Sequence, residues 1–462
     1  MARGIKAVGL EDSPGGSGRE DAPGRVRVVP RAVRVGLLGL GTVGSGVLEV
    51  LERNRADIER KAGRGIDVAR ILVRDPSRAR AVAVPAGLLT TDPRDILTDP
   101  EIAIVVEVMG GTGVALQSIL GALRAGKHVV TANKDVMAEH GPEVWAAAAE
   151  GGADLFFEAS VGGGIPIVRA VQSSLAANSV RRVAGILNGT TNYILTRMSR
   201  DGLSQEEALA EAQALGYAEA DPSADIDGVD AARKLCILSS LAYSTMCRAG
   251  DVYRQGIAAI SAQDIAHAAR MGWTIKLLAI SDMQSGRISM RVHPTFVPLG
   301  HPLAAVNDTF NAIYVQGDPV GEAMFYGRGA GALPTASAIL GDLLEAVRGL
   351  DRGGARTSCP CLHQWPVDPV DALQTRFYVR LLVADRVGVL AKIASVFEHA
   401  EVSIMSVLQS PVSQRSHPDQ AELIVVTHAA REDRMRDAIE GLRHLEVVAG
   451  VGALVRLAPE DL

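Results

Sequence analysis

Residues 32–44, AVRVGLLGLGTVG, decide the fold of this chain. The run 32–38 is apolar and rich in β-branched residues, the composition of a strand buried in a sheet. It leads straight into Gly39, Leu40, Gly41, Thr42, Val43 and Gly44, and an amphipathic stretch follows at 47–60. The order is strand, glycine turn, helix. Working outward, further strands are expected at 66–73, at 102–108 ending on Met109, Gly110 and Gly111, at 127–131 and at 153–157, with helical patterns at 116–125 and 135–150. Strands that alternate with helices imply an α/β fold built on a Rossmann-type doubly wound parallel sheet.

The six residues Gly39 to Gly44 satisfy G-x-G-x-x-G. In that pattern the first glycine makes the turn, the second lets backbone approach a pyrophosphate and the third lets the helix pack closely. Alone the motif is weak, but here it follows a strand and opens a helix, so a dinucleotide site is expected. The end of the second strand then bears on the cofactor. An acid there would hold the ribose hydroxyls of NAD, whereas this strand ends on Val73 and Arg74, with Asp75 next. Arg74 can pair with a 2′-phosphate, which favours NADP over NAD, although an arginine at a strand end can equally be a solvated one.

Beyond residue 157 the pattern changes. Gly162, Gly163 and Gly164 are followed by a strand-like 180–187, long helical stretches to about residue 249, and mixed segments to about residue 315. This reads as an α+β substrate and dimerisation domain at 158–326 inserted after a nucleotide-binding domain at 31–157. Gly327 to Gly331 and a helix at 335–348 return to the first domain, giving a return segment at 327–350. A Gly, Arg, Cys and Pro-rich linker at 351–375 precedes a last module at 376–462, whose segments 377–383, 389–399, 402–409, 421–427, 432–442 and 447–455 read as βαββαβ.

With 462 residues, 47% hydrophobic content and a net charge of −6, the chain has the composition of a soluble protein of two or three domains. Its Lys and Arg are dispersed, without the one-sided basic excess that nucleic acid requires. No apolar stretch reaches the length of a membrane span without a charge or a Gly/Pro break, so the expected place is cytoplasmic. Residues 1–30 hold no apolar run suited to a signal core and are expected to be a disordered extension. Four cysteines do not make a disulfide framework in a chain of this length, and the expected compartment is reducing. Cys359, Cys361 and His363 invite a metal reading, but they lack a second ligand pair; the linker reading is preferred.

The chemistry concentrates at residues 212–234, AQALGYAEADPSADIDGVDAARK. Asp230 and Lys234 stand four apart and share a helix face, while Asp221 and Pro222 break the chain ahead of it. Glu219 and Asp225 are expected to fold toward the same face. Such a cluster can grip an amino acid and move a proton. Hydride transfer between an alcohol and an aldehyde needs a cation or acid beside the oxygen, and Lys234 can serve, as can Lys134, which follows the fourth predicted strand at the carboxyl edge of the sheet. The competing reading of Lys234 is a surface ion pair with Asp230, worth about 0.5 kcal/mol.

Residues 212–234 resemble, without a gap, the signature of homoserine dehydrogenases. Residues 157–166, FEASVGGGIP, residues 188–193, NGTTNY, residues 131–134, TANK, and the glycine run ending at Gly331 look like the same family. The resemblance spans about residues 34–348. It implies reversible oxidation of L-homoserine to L-aspartate 4-semialdehyde with NAD(P), on the branch leading to threonine, methionine and isoleucine. It further implies Lys234 as proton donor and acceptor, assisted by Lys134 against the nicotinamide, Glu219 on the substrate amino group, and Asp225 and Asp230 holding the network. The resemblance also makes Glu158, with the carbonyls of Val161, Gly163 and Ile165, a site for a monovalent cation, Na+ or K+; the glycine run suits an interdomain hinge equally well. The last module resembles an ACT domain, with residues 385–390, DRVGVL, at the strand-to-helix turn. In this family such a tail implies an amino-acid effector, threonine, and the expected assembly is a homodimer or homotetramer. A dehydrogenase of another small amino or hydroxy acid, and a non-catalytic amino-acid sensor, stay open at this point.

Overall fold

The computed structural model describes residues 32–80, 82–350, 359–411 and 419–462. The extension expected at residues 1–30 and the start of the linker lie outside the described residues.

The first sheet has six strands, all parallel: β1 (Val33–Leu38), β2 (Ile66–Leu72), β3 (Leu89–Thr90), β4 (Ile102–Glu107), β5 (His128–Thr131) and β6 (Leu155–Phe156), in the order β3-β2-β1-β4-β5-β6. Strand order reverses beside β1, so the carboxyl ends of β1 and β4 frame the crevice where such sheets bind ligands. On one face lie α1 (Thr42–Arg53) and α2 (Arg55–Ala62), on the other α4 (Val114–Arg124) and α5 (Lys134–Gly151), with α3 (Arg94–Leu97) at the side. The single helix expected at 47–60 is two helices. Asn54, whose side chain competes for backbone hydrogen bonds, leaves helical geometry and its carbonyl accepts from Asp57 and Ile58.

The second sheet is antiparallel for most of its width. Its order is β12-β11-β7-β9-β10-β18-β14-β16-β15, with β8 (Tyr253–Arg254) pairing off β10. Its first half comprises β7 (Ser179–Ile186), β9 (Trp273–Gln284), β10 (Arg287–Pro298), β11 (Phe310–Asp318) and β12 (Gly321–Arg328). Ser285 and Gly286, both at positive φ, join β9 to β10 as a two-residue hairpin turn whose twist matches the strands. Against this half pack α6 (Ile167–Arg169), α7 (Gly189–Asp201), α8 (Gln205–Ala214), α9 (Ser223–Ile226), α10 (Val229–Ala242) and α11 (Ala262–Arg270). α12 (Ala332–Gly349) returns to the parallel sheet, where Ala336, Ile339, Leu343 and Val347 share a core with Val47 and Leu51 of α1.

The terminal module follows the short pair β13 (Gln374–Thr375) and β17 (Ala430–Arg431). It has β14 (Phe377–Ala384), α13 (Val389–His399), β15 (Ile404–Pro411), β16 (Gln420–Thr427), α14 (Glu432–Arg443) and β18 (Val448–Leu457), the βαββαβ order. It is joined more closely than a linker suggests. β18 pairs in parallel with β10 at Thr295 with Arg456 and Phe296 with Leu457, so one sheet runs through both halves. The side chains of Cys359 and Cys361 lie side by side, and among the described residues no cluster of three or more His, Cys, Asp or Glu forms a metal site. His363 lies instead against the Trp365 ring. Among the described residues no helix is long and apolar enough to cross a membrane.

Candidate active site

The glycine turn is shaped for a ligand. Gly39 has φ of 105°, closed to most side chains, and a Cβ on Gly44 would overlap the Gly39 carbonyl oxygen. A Cβ on Gly41, by contrast, would meet nothing within 4 Å, so the backbone at the start of α1 is open to an approaching group. Leu40, Thr42 and Val43 complete the turn, and the first amides of α1 point at that space, the arrangement that favours a phosphate. Gly331, at φ of 118°, opens α12, and Ala332 beside it packs so closely on Gly46 that only glycine fits there. These residues fit a dinucleotide.

At the end of β2, Arg74 is exposed. The Asp75 carboxylate is turned into its own loop, where it accepts from the Ser77 amide at 2.8 Å and the Ser77 hydroxyl at 2.6 Å, and these bonds hold its pKa down.

Across the crevice, Glu107 closes β4 as a fully buried carboxyl that sequence reading passed over. It accepts from the Met109 amide at 2.7 Å, the Gly110 amide at 3.2 Å and the Thr131 hydroxyl at 2.6 Å, while burial pushes its pKa up. Thr131 Oγ1 in turn accepts from the Asn133 amide, and Asn133 both caps α5 through Val136 and donates to the Gly111 carbonyl at 2.8 Å. Lys134, the first residue of α5, is thus carried on a turn tied to two strands.

Lys134 reaches across to the second domain. Its Nζ lies 2.8 Å from Asp230 Oδ1, and the other oxygen, Oδ2, accepts from Lys234 Nζ at 2.6 Å. Lys234 also donates to the Leu187 carbonyl at 2.8 Å. Asn188, the cap of α7, donates to Asp225 Oδ1 at 2.6 Å and to Asp230 Oδ2 at 3.0 Å. Burial alone would push the Asp230 carboxyl up, but the charges and hydrogen bonds of Lys234 and Lys134 outweigh it and hold the group far below the usual carboxylate range. For Lys134 burial works downward, and Asp230 overcomes it and raises the pKa.

The pair is no surface ion pair: the side chains of Lys234 and Asp230 are 11% and 9% exposed. Lys134, Asp225, Asp230 and Lys234 therefore come together as expected, and Asn188 joins them. Glu219 does not. It stands exposed on the turn after α8, and among the described residues its carboxylate has no partner. The chain around it is anchored through Tyr217, whose carbonyl accepts from Thr190 Oγ1 at 2.8 Å.

The glycine seam between the domains is built around Glu158 and Gly163. The Glu158 carboxylate accepts from the amides of Val168 and Arg169 at 2.8 Å each, one on each oxygen, so its side chain is tied to the start of α6. Among the described residues the carbonyls of Val161 and Gly163 accept no backbone hydrogen bond, whereas that of Ile165 accepts from Ile167. Gly163 abuts Gly329, and Gly329 abuts Asn311, a 1%-exposed residue whose amide oxygen and nitrogen are both unpaired among the described residues.

Comparison with known proteins agrees with this geometry. Residues 39–158 match the model of the homoserine dehydrogenase NAD-binding domain, residues 166–344 that of homoserine dehydrogenase, and residues 377–444 that of the ACT domain. The homoserine dehydrogenase of Synechocystis sp. is 46% identical over 437 residues, covering 92% of this chain and 99% of the relative. A crystal structure of a homoserine dehydrogenase from Thiobacillus denitrificans superposes with a TM-score of 0.87 at 42% identity, covering 93% of this chain and 98% of that one. A hyperthermophilic archaeal homoserine dehydrogenase mutant in complex with NADPH superposes with a TM-score of 0.57 at 27% identity, covering 68% of this chain and 97% of the other. The chain belongs to the homoserine dehydrogenase family, an oxidoreductase with a nicotinamide-cofactor domain and a terminal ACT domain.

Proposed function

We propose that the chain interconverts L-homoserine and L-aspartate 4-semialdehyde with NADP in preference to NAD, with Lys234 handling the proton, as a step toward threonine, methionine and isoleucine. The observation that carries the roles is Asp230 held between two lysines from different domains. A lysine ammonium has three N–H bonds. Lys234 spends one on Leu187 and one on Asp230, which leaves the third for the substrate oxygen. In reduction this ammonium gives its proton to the oxygen as negative charge develops; in oxidation the neutral amine takes the proton back. The nicotinamide, when bound, supplies or accepts the hydride. Lys134 lies between that crevice and Asp230 and adds positive charge where the alkoxide forms. Asp225 and Asp230 position the lysines and the substrate, and the unpaired, exposed Glu219 is free to receive the substrate ammonium group.

The engagement of Asp75 with Ser77 leaves Arg74 as the charged group at the end of β2 free to meet a 2′-phosphate, and the archaeal relative is in complex with NADPH. Residues 31–157 with 327–350 would hold the cofactor, 158–326 the substrate and the subunit contact of a dimer or tetramer, and 376–462 an effector, threonine. In that last module Leu390, Met405, Val407 and Leu408 are exposed near the 385–390 turn, an apolar surface suited to a second copy and a small amino acid. Glu158, with the carbonyls of Val161, Gly163 and Ile165, would hold Na+ or K+, with the ion steadying the join between the domains.

Initial rates with homoserine and NAD or NADP, with and without threonine, test the whole reading. Equal kcat/KM for the two cofactors would remove the NADP preference, and Arg74→Ala is expected to weaken NADP by about tenfold while sparing NAD.

A further inference from the structure

The terminal module reaches the substrate site through one buried arginine. Arg456, on β18, is 1% exposed, yet it carries a full charge. Its Nε donates to Glu432 Oε2 at 2.9 Å and its Nη2 to Glu432 Oε1, both within the module. The rest of the guanidinium faces the substrate domain. Nη1 donates to Gln255 Oε1, Nη2 to the Tyr253 hydroxyl at 3.0 Å, and the guanidinium lies 4.9 Å from the centre of the Tyr253 ring. Gln255 answers by donating its Nε2 to the Leu454 carbonyl of β18 at 3.0 Å. A buried charge is held this closely only where each donor has a partner.

The segment gripped by Arg456 is the floor of the catalytic turn. Gln255 donates its amide to the Val292 carbonyl at 2.8 Å, and Ile257 donates to the Ile226 carbonyl at 3.0 Å. Between them a Cβ on Gly256 would overlap the Ile226 carbonyl, so backbone lies directly on backbone. Ile226 ends α9, which carries Asp225; Gly228, at φ of 75°, opens α10, which carries Asp230 and Lys234. Residues 253–257 thus sit between Arg456 and the bend that sets Asp225 against Asp230.

We propose that Arg456 is a positioning residue for the active site, acting through Gln255 and the 226–228 bend, so that the terminal module forms part of the foundation of the substrate pocket. The proposal rests on the assignment of Asp225 and Asp230 to the substrate network. A shift of β18 moves Gln255, and Gln255 moves the bend. An effector bound to the module would use the same route.

The same interface supplies the control. Arg380, on β14, donates its Nε to the buried Asp264 at 2.7 Å, but Asp264 belongs to α11, which carries no residue of the site. Loss of docking alone predicts equal effects at Arg456 and Arg380; positioning predicts different ones. In full-length enzyme, Arg456→Lys and Gln255→Ala are expected to lower kcat/KM for homoserine about tenfold, chiefly through KM, with dinucleotide affinity unchanged. Arg380→Lys is expected to leave KM unchanged. A folded Gln255→Ala enzyme with normal KM, or an Arg380→Lys enzyme with the same rise, would overturn the proposal. Should Asp225→Asn leave the homoserine KM untouched, the substrate assignment itself fails and takes the proposal with it.

Discussion

Two buried carboxyl clusters flank the join between the domains, and they are held in opposite ways. At the proposed substrate site Asp230 lies between the ammonium groups of Lys134 and Lys234, and opposite charge keeps it ionised despite burial. At the glycine seam Glu158 and Asp342 are neighbours of like sign. Asp342 accepts from the Glu158 amide and from Arg169 Nη2, each at 2.8 Å, yet burial and the Glu158 charge push it up to about 7. Burial is equally deep in both; what differs is the charge count around it. In the proposed mechanism one cluster keeps charges fixed while a proton passes at Lys234, and the other joins helices through backbone amides.

The comparison breaks most visibly at Lys234. Lys234→Ala removes the proton group and leaves Asp230 with Lys134 alone; kcat is expected to fall on the order of a thousandfold while dinucleotide affinity holds, measured by steady-state rates and by equilibrium binding. Near-normal turnover would move the proton to another group. Asp230→Asn comes next. It leaves two lysines without their shared counterion, a loss expected to destabilise the fold by roughly 3 kcal/mol in denaturant unfolding and to lower kcat/KM as well. Because the folded pKa of Asp230 lies below its unfolded 3.8, its contribution is present above that pH and fades as pH falls below it. The difference between wild type and variant is therefore expected to be flat from neutral pH to about pH 4 and to shrink below that.

Smaller in effect, Glu107→Gln keeps the shape of a residue that ties β4 to the Thr131–Lys134 turn but weakens its acceptors. Stability is expected to fall by about 1 kcal/mol per weakened bond, with kcat reduced more than KM for homoserine, since Lys134 is the residue displaced. A purely structural Glu107 would lower stability and leave kcat alone.

How far the sequence carried depended on how local each rule was. The glycine turn obeys a steric rule within six residues, and Gly39, Gly41 and Gly44 take the parts that rule assigns. Asp230 and Lys234 were paired by helical spacing, which fixes a shared face but not burial. Lys134 meets Asp230 only because two domains close on one another, and no spacing reports that contact. Asn188 was legible only as a cap before Gly189, Thr190 and Thr191; its bridge between two aspartates is tertiary. Glu107 left a usable trace, an acid ending an otherwise apolar strand. Glu219 was expected to turn inward with Asp225, but the turn after α8 leaves it outside the ion-pair network. The pairing of β10 with β18 joins segments far apart in the chain, so a module that read as tethered proved to be part of one sheet.

The finest test is the pH dependence of the glycine seam. Asp342 in the unfolded chain releases its proton near 3.8, and in the folded chain only near 7, so between those values the unfolded state binds fewer protons. Stability then falls as pH rises through that window, the reverse of the Asp230 case. Between about pH 5 and 7 the decline attributable to this residue amounts to roughly 2 kcal/mol. An asparagine side chain cannot ionise, so in Asp342→Asn that slope should vanish: the variant should be less stable than wild type at low pH, where it lacks the buried acid, and gain on wild type toward neutrality. Parallel denaturant midpoints for the two proteins across the window would mean that Arg169 keeps Asp342 ionised throughout. The seam would then hold its acid charged by the same means as the Asp230 cluster.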